Sequence, residues 1–297
     1  MVRKGCVWGW LIGVVGLLVV FLVTVVTLES LLGQRLSFPA YGNRVGLVRV
    51  EGLLVDARDV VADLKAMGED AGVSAIVLRV ESPGGGVVAS QEIYDEVVRV
   101  RDGGTPVVVS MGSVAASGGN YVACAGDSVV ANAGTITGSI GVLMEFTNLQ
   151  ELLGKVGVGF DVVKSGEYKD TGSMAREMTD EERALLQTTV DDIYAQFVET
   201  VALEREMDEA SVRALADGRI LSGRQALEAG LVDRLGTLRD AIAMAGRMGG
   251  IEGEPRVQEP SRPMRLTLLD LISGSLSNAL RPGASSAGAM YLCRPAG

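Results

Sequence analysis

A serine followed by two glycines is the first group in this sequence that could act as a nucleophile. Ser117, Gly118 and Gly119 come shortly after the apolar run 106–111, at a predicted strand-to-helix junction. Such a junction can expose the hydroxyl while the next N–H points into the same space, as a nucleophile and an oxyanion donor require. The small residues around Ser117 are equally typical of a tightly packed helix. The motif alone therefore leaves both interpretations open.

The chain has no histidine, which limits how a serine could be activated. Ser-His-Asp and Cys-His catalysis and His-ligated metal sites are excluded. Lys169, in the polar segment 165–173, could act as the base if burial lowers its pKa from ~10.4 toward neutrality. The alternative is an ordinary solvated loop charge. An ion pair between Lys169 and the adjacent Asp170 would abolish the base role.

Three consecutive glycines occupy residues 84–86. They come shortly after the apolar run 74–80 and are preceded directly by Ser82 and Pro83. Glycines allow a tight turn and let backbone N–H groups face a ligand. A phosphate loop is excluded because no Gly-Lys-Ser/Thr follows and the G-x-G-x-x-G spacing is absent. The segment is therefore either a structural turn or a donor of N–H groups.

Strand-like and helix-like segments alternate along the chain, which predicts an α/β fold with βαβ crossovers and a parallel sheet. The predicted strands are residues 45–50, 74–80, 106–111, 129–130 and 160–163. The predicted helices are residues 55–67 (ended by Gly68), 91–100, 179–206 (opened by a capping box), 208–216, 223–230 and 238–248. Parallel sheets bind ligands at the ends of their strands, where all three candidate segments fall.

Composition restricts the class of protein further. Hydrophobic residues make up 47%, which is enough for a core, and the net charge of −10 argues against nucleic-acid binding. Cys6, Cys124 and Cys293 are too widely spaced for a disulfide framework or a zinc site and are interpreted as isolated thiols. A pair between Cys124 and Cys293 has no support.

The uncharged stretch 7–28 is long enough to cross a ~30 Å hydrocarbon core. Arg3 and Lys4 precede it, so the positive-inside rule puts the N-terminus in the cytoplasm and the rest outside. A cleaved signal peptide is the alternative, but its apolar region would be shorter. We expect an anchored N-terminus in residues 1–35 and a catalytic domain in 36–250. Residues 251–297 would form a linker, a short amphipathic helix at 265–280 and a mobile tail at 282–297.

Five short motifs rich in glycine, serine and other small residues follow one another along the chain. They are Ser-Pro-Gly-Gly-Gly at 82–86, Ala-Ala-Ser-Gly-Gly at 115–119, Gly-Thr-Ile-Thr-Gly-Ser-Ile-Gly at 134–141, Ser-Gly-x-Tyr-Lys-Asp-x-Gly-Ser at 165–173 and Gly-Arg-Ile-Leu-Ser-Gly-Arg-Gln-Ala-Leu at 218–227. Together they resemble signal peptide peptidase A, the protease IV family, in its short single-domain form. The resemblance spans residues 45–248. It implies the βαβ superhelix shared by Clp proteases and crotonases, here with one N-terminal transmembrane helix.

The resemblance also implies a role for each candidate residue. Ser117 would attack the scissile carbonyl, Lys169 would take its proton, and Ser139 would orient the lysine amine. The oxyanion hole would consist of the Gly118 N–H and one from the glycine loop, preferably that of Gly85, with Gly84 as the alternative. No metal and no organic cofactor are implied. Family members have proline where this chain has Ala133 and Met174, which puts local loop shape in doubt rather than the chemistry.

These expectations describe a membrane-anchored Ser/Lys endopeptidase on the outer side of the cytoplasmic membrane. Its substrates would be remnant signal peptides and other short hydrophobic or unfolded peptides, and the resemblance implies a ring-like homo-oligomer, an octamer. The alternatives are a membrane-bound crotonase-like acyl-thioester enzyme, a non-enzymatic anchored scaffold, and a related protease that regulates membrane proteins. A further hypothesis is that the tail 282–297 reaches the active-site groove as a product-like inhibitor.

Overall fold

A computed structural model describes residues 16, 17, 20, 43–261 and 290–292 of the chain. The expected anchor at 7–28 and the expected helix at 265–280 lie almost wholly outside these residues. No helix within the described part of the chain is both long and apolar enough to span a bilayer. The division into segments 1–35, 36–250 and 251–297 stays a prediction.

Strands and helices alternate from Arg44 onward. The strands are β1 (Arg44–Glu51), β2 (Val73–Ser82), β3 (Gly84–Gly86), β4 (Val107–Ala115), β5 (Ser128–Ala131), β6 (Ile136–Gly138), β7 (Ile220–Ser222), β8 (Arg234–Leu235), β9 (Arg256–Gln258) and β10 (Met290–Leu292). The helices are α1 (Arg58–Glu69), α2 (Val87–Asp102), α3 (Gly118–Ala123), α4 (Gln150–Val156), α5 (Asp180–Glu204), α6 (Glu209–Leu215), α7 (Gly223–Glu228) and α8 (Leu238–Met248), with a 3₁₀ helix at Glu167–Asp170.

The main sheet is parallel except at one end, which confirms the α/β prediction. Its strands run in the order β7-β6-β4-β2-β1-β9, and β5 pairs with β4 and β8 beside this path. All pairings are parallel except β6 with β7. The first half of β4 pairs with β5, whereas Val114 near its end pairs with Ile136 of β6. The candidate serine follows directly after this divergence.

Helices cover both faces of the sheet. Successive strand residues point to opposite sides, so both faces carry apolar side chains that pack against helices. Val48 and Ile76 face a large core with α1, α2, α3 and α5, whereas Leu47 and Val77 face a smaller one with α8. The apolar runs in β2 and β4 are buried on both faces, as the sequence predicts for central parallel strands. The two layers of helices therefore fix β2 and β4, whose ends carry the candidate site.

Three predicted elements need correction. Residues 160–163 form no strand: they pair with none of the described strands, and Val163 is fully exposed. Helix α1 does not end at Gly68 but continues to Glu69, since Gly68 serves close packing: a Cβ there would lie 3.0 Å from Val100 Cγ2. The expected linker contains β9, which pairs with β1.

One packing contact joins the long helix α5 to the short helix behind the candidate serine. Phe197 of α5 is fully buried and meets the Tyr121 ring of α3 edge-on, with ring centroids 5.1 Å apart. We expect Phe197→Ala to lower the free energy of unfolding by about 3–5 kcal/mol, because it removes a buried ring and leaves a cavity. Urea denaturation measures the change.

The matched control for this prediction is Leu203→Ala on the same helix. Leu203 is 72% exposed, so its truncation should change the free energy of unfolding by less than about 0.5 kcal/mol. Equal losses in the two variants would contradict the packing described for Phe197.

Candidate active site

Ser117 lies at the turn between β4 and α3, with a backbone conformation that side chains rarely adopt. Its φ is 55° and its ψ is −119°. Two hydrogen bonds hold this turn: Ala116 N donates to Ser82 O at 3.0 Å, and Ser117 N donates to Gly138 O at 2.8 Å. A non-glycine residue at positive φ costs energy and persists only where the surroundings impose it, which is common at active sites.

The neighbouring residues make this turn possible. A Cβ on Gly119 would lie 2.7 Å from Ser82 O, so only glycine lets α3 come this close to β2. The Glu81 carboxylate accepts hydrogen bonds from Ser113 N at 2.8 Å and Val114 N at 3.1 Å, where the register between β2 and β4 shifts. Glu81 thus satisfies backbone groups that the irregular strand end leaves without a partner.

The Ser117 hydroxyl is buried and unused. The residue is 1% exposed, and its Oγ has no hydrogen-bond partner among the described residues. The nearby Asn120 Oδ1 is also without a partner, although Asn120 Nδ2 donates to Thr137 Oγ1 at 3.1 Å. Buried polar atoms without partners are rare and costly, so their presence here indicates a place for a ligand, a water or a base.

The glycine strand β3 bonds to Leu54 along one backbone edge and turns its other edge to a second partner. Leu54 N donates to Gly84 O at 2.8 Å, and Gly86 N donates to Leu54 O at 2.6 Å. Because backbone groups alternate along a strand, the N–H and C=O of Gly85 face the opposite edge. Gly85 has a φ of +156°, and a Cβ there would lie 2.3 Å from Leu54 O. Glycine is therefore required at this position.

The tail segment β10 lies along that edge. It pairs antiparallel with β3, with Tyr291 opposite Gly85, and its backbone also contacts α3. An extended stretch of this chain thus runs beside the predicted oxyanion donor and the helix that follows Ser117. Three residues of the expected mobile tail, residues 290–292, are therefore strand-paired.

Ser139 is a close neighbour of Ser117, since Gly138 O accepts the Ser117 N–H. It also has a positive φ, of 51°, and its own N–H donates to Arg219 O at 2.8 Å. The residue is 7% exposed and borders a cavity of about 370 Å³ that Val142, Leu143 and Tyr194 also line. Ser139 is therefore fixed at the wall of a pocket next to the candidate nucleophile.

Lys169 is exposed in the 3₁₀ helix Glu167–Asp170. Its Nζ has neither a hydrogen bond nor an ion pair with any described residue, so none joins it to Ser117 or Ser139. Asp170 does not pair with Lys169 either, because its carboxylate binds Lys164 and Arg176. The structure thus brings the two serines, Gly118 and Gly85 together, and the role of Lys169 stays a prediction.

Sequence reasoning overlooked several residues that support the site. Glu81 and Thr137 both hold the C-terminal end of β4, where Thr137 Oγ1 donates to Ala115 O at 2.6 Å. Arg176 links Asp170 to the start of α5. Thr137 lies within a quoted motif, whereas no local signal marks Glu81 or Arg176, whose partners come from other segments. The described residues contain no cluster of three His, Cys, Asp or Glu side chains that could hold a metal.

Comparison with known proteins gives two matches to family profiles. The profile of peptidase family S49 matches residues 99–251, and that of Clp protease matches residues 54–135. The second match covers the strands and the glycine loop that lead to Ser117. The described fold is accordingly a mixed α/β fold with a Clp protease-like part and a parallel sheet.

Individual relatives agree with the profiles. A putative protease of Synechocystis sp. is 46% identical over 211 residues, which cover 70% of this chain and 76% of that protein. A putative signal peptide peptidase of Enterococcus faecium is 41% identical over 61% of this chain and 53% of its own length. Protease 4 of Haemophilus influenzae is 33% identical over 77% of this chain, but the match spans only 38% of that protein.

The S49 profile covers more than half of the chain, and the Synechocystis relative is matched over more than two thirds of its own length. The earlier resemblance to the signal peptide peptidase A and protease IV family is thereby confirmed. The chain belongs to peptidase family S49, a family of serine proteases whose substrates are peptides.

Proposed function

We propose that this protein is a membrane-anchored serine endopeptidase with a Ser117/Lys169 dyad. Its substrates would be remnant signal peptides and other short hydrophobic or unfolded peptides at the outer side of the cytoplasmic membrane. The observation that carries the proposal is the strained, buried Ser117 with its unpartnered Oγ beside the Gly85 edge of β3, along which the extended segment β10 pairs. The stretch 7–28, preceded by Arg3 and Lys4, supports the anchor and its orientation.

The peptide would bind as an added strand on β3. Support comes from β10, which already occupies this edge in antiparallel register. Strand addition uses backbone hydrogen bonds, so it accepts many sequences in extended form. It would bring a peptide carbonyl within reach of the Gly85 N–H, and the Gly118 N–H in the first turn of α3 is left free by intrahelical bonding. The two N–H groups would form the oxyanion hole.

The chemical steps follow from these positions. Ser117 Oγ would attack the scissile carbonyl carbon while its proton passes to the neutral Lys169 amine. The tetrahedral oxyanion would be stabilised by the Gly118 and Gly85 N–H groups. Lys169 would then give the proton to the leaving amine, and a water molecule would hydrolyse the acyl-enzyme. Ser139 would hydrogen-bond the lysine amine and orient it.

Burial favours a neutral Lys169, and the described residues of a single chain leave this side chain exposed. The segment around it exposes a set of apolar side chains that would normally be covered. They are Leu152, Val156, Val158, Phe160, Val162 and Val163. We infer that a second copy of the chain covers this segment and closes the site over Lys169, in a homo-oligomer for which the family resemblance implies eight copies.

The dyad predicts that Ser117→Ala and Lys169→Ala each lower peptide cleavage by about a thousandfold or more, because the nucleophile and its base act as one unit. Ser113→Ala and Lys65→Ala are the matched controls, since both side chains are exposed and lie outside the apolar segment that a second copy would cover. Hydrolysis of a fluorogenic hydrophobic peptide by the full chain in detergent measures the effect, and chelators should leave it unchanged.

Retained cleavage in both dyad variants would contradict the proposal. In that case, turnover of an acyl-thioester in the same preparations would favour the crotonase-like alternative, which needs the glycine-loop N–H groups but neither Ser117 nor Lys169.

The oligomer predicts that charges on the apolar segment separate the copies. The double variant Phe160→Asp/Val163→Asp should give a smaller particle than wild type and lose peptidase activity, because Lys169 would stay exposed. Leu203→Asp, at an equally exposed apolar position on α5, should keep both mass and activity. Light scattering of the detergent-solubilised chain gives the mass. An unchanged mass in the double variant would contradict the covered segment.

The tail predicts self-inhibition, because β10 occupies the edge proposed for the substrate. Truncation after Ala289 removes β10 and should lower the KM for a peptide several-fold with kcat unchanged. Truncation after Leu292 shortens the tail but keeps β10, so its KM should match that of wild type. The hypothesis fails if the two truncations give the same KM.

A further inference from the structure

Arg176 bridges two carboxylates beside the candidate base. Its Nη2 donates to Asp170 Oδ1 at 2.9 Å and its Nε donates to Asp170 Oδ2 at 3.0 Å, so the guanidinium forms a bidentate pair with the carboxylate. On its other side, Nη1 contacts Glu182 Oε2 at 2.8 Å, and Nη2 also reaches Oε1. Paired contacts of this kind match the planar fork of arginine and fix both partners in direction.

Glu182 connects this bridge to the start of α5. It completes the capping box, accepting from Thr179 N at 2.9 Å while its own N–H donates to Thr179 Oγ1 at 3.2 Å. Thr171 Oγ1 also donates to Glu182 Oε1 at 3.1 Å. The 3₁₀ helix that carries Lys169 is thereby tied through Asp170, Arg176 and Glu182 to the rigid end of a long helix.

Asp170 is fully engaged by cations other than its neighbour Lys169. Lys164 Nζ contacts Asp170 Oδ1 at 2.7 Å and also donates to Glu167 O at 2.7 Å. The hydrogen bonds from Arg176, and after them those from Lys164, hold the pKa of the Asp170 carboxyl well below its usual range. Asp170 therefore remains ionised, with its charge balanced within the bridge.

The pairing of Asp170 with Arg176 affects how easily Lys169 can lose its proton. An unbalanced carboxylate beside an amine favours the protonated, charged amine. The charged or titratable side chains from residue 161 to residue 183 are Asp161, Lys164, Glu167, Tyr168, Lys169, Asp170, Arg176, Glu177, Asp180, Glu181, Glu182 and Arg183. Of the acidic groups among them, Asp170 is the sequence neighbour of Lys169, and both of its oxygens are taken up by Arg176.

We propose that Arg176 is a positioning residue for the base: it holds the Asp170 carboxylate away from the Lys169 amine and fastens the 3₁₀ helix to α5. The proposal rests on the proposed role of Lys169. It assigns Arg176 to the reaction through its two carboxylate partners and not through contact with substrate.

The test measures the protonation of Lys169 directly. Trace acetylation of the full chain at a series of pH values, followed by mass spectrometry, gives the fraction of neutral amine at Lys169. In Arg176→Gln we expect the half-labelling pH of Lys169 to rise by about half a unit or more, because Asp170 becomes an available partner. In the double variant Arg176→Gln/Asp170→Asn it should return to the wild-type value.

Two further variants separate charge from simple loss of structure. Arg183→Gln is the matched control, because Arg183 is an exposed arginine of α5 without a side-chain partner in the described chain, and it should leave the profile unchanged. Arg176→Lys keeps a positive charge without the fork, so it should give a smaller rise than Arg176→Gln. The melting temperature of every variant is recorded, and Arg176→Lys replaces Arg176→Gln if the latter does not fold.

Peptide cleavage provides the second readout. Arg176→Gln should lower kcat about tenfold or more and move the acidic limb of the pH–rate profile to higher pH, with partial recovery in the double variant. A labelling profile that stays at the wild-type value in both Arg176 variants would overturn the proposal. Activity that survives Lys169→Ala would instead refute the proposed base, and the labelling result would still decide whether Arg176 controls the lysine.

Discussion

The conformation of Ser117 is the constraint on which the rest of the site depends. A serine at positive φ is unfavourable by itself, and here it is held by backbone acceptors from two neighbouring segments, Ser82 O on one side and Gly138 O on the other. Those acceptors are in place because β2 and β6 flank the diverging end of β4. The buried strands of the sheet thus hold one strained turn in place, and this turn presents the Ser117 hydroxyl and the N–H of Gly118 on the same side.

Because the chain has no histidine, the proposed mechanism assigns the removal of the serine proton to a lysine. The proposed base, Lys169, is charged in its ordinary state and lies on an exposed segment. Two features compensate. Arg176 forms an ion pair with the Asp170 carboxylate next to Lys169. The exposed apolar side chains between residues 152 and 163 would be buried by the proposed second copy of the chain. In this account activation depends on neutralising Asp170 and on excluding water, both of which favour the uncharged amine.

The fold was largely predictable, because its signals are local. The buried runs in β2 and β4, the capping box at Thr179 and the helix Leu238–Met248 follow directly from residue patterns. The site was predictable only as separate segments. The edge pairing of β9 and the short strands in glycine segments depend on distant partners, and so does the bridge from Arg176 to Asp170 and Glu182. The apolar run 160–163 misled for the same reason: strand formation needs a partner edge, which the run itself does not encode.

The central claim is that Ser117 is a nucleophile whose reactivity depends on Lys169. The most direct measurement is labelling of the full chain with a serine-reactive peptide phosphonate, followed by mass-spectrometric mapping of the modified residue. We predict a single modification at Ser117 that is lost in Lys169→Ala and kept in Lys65→Ala. Modification at a different serine, or at Ser117 with undiminished yield in Lys169→Ala, would contradict it.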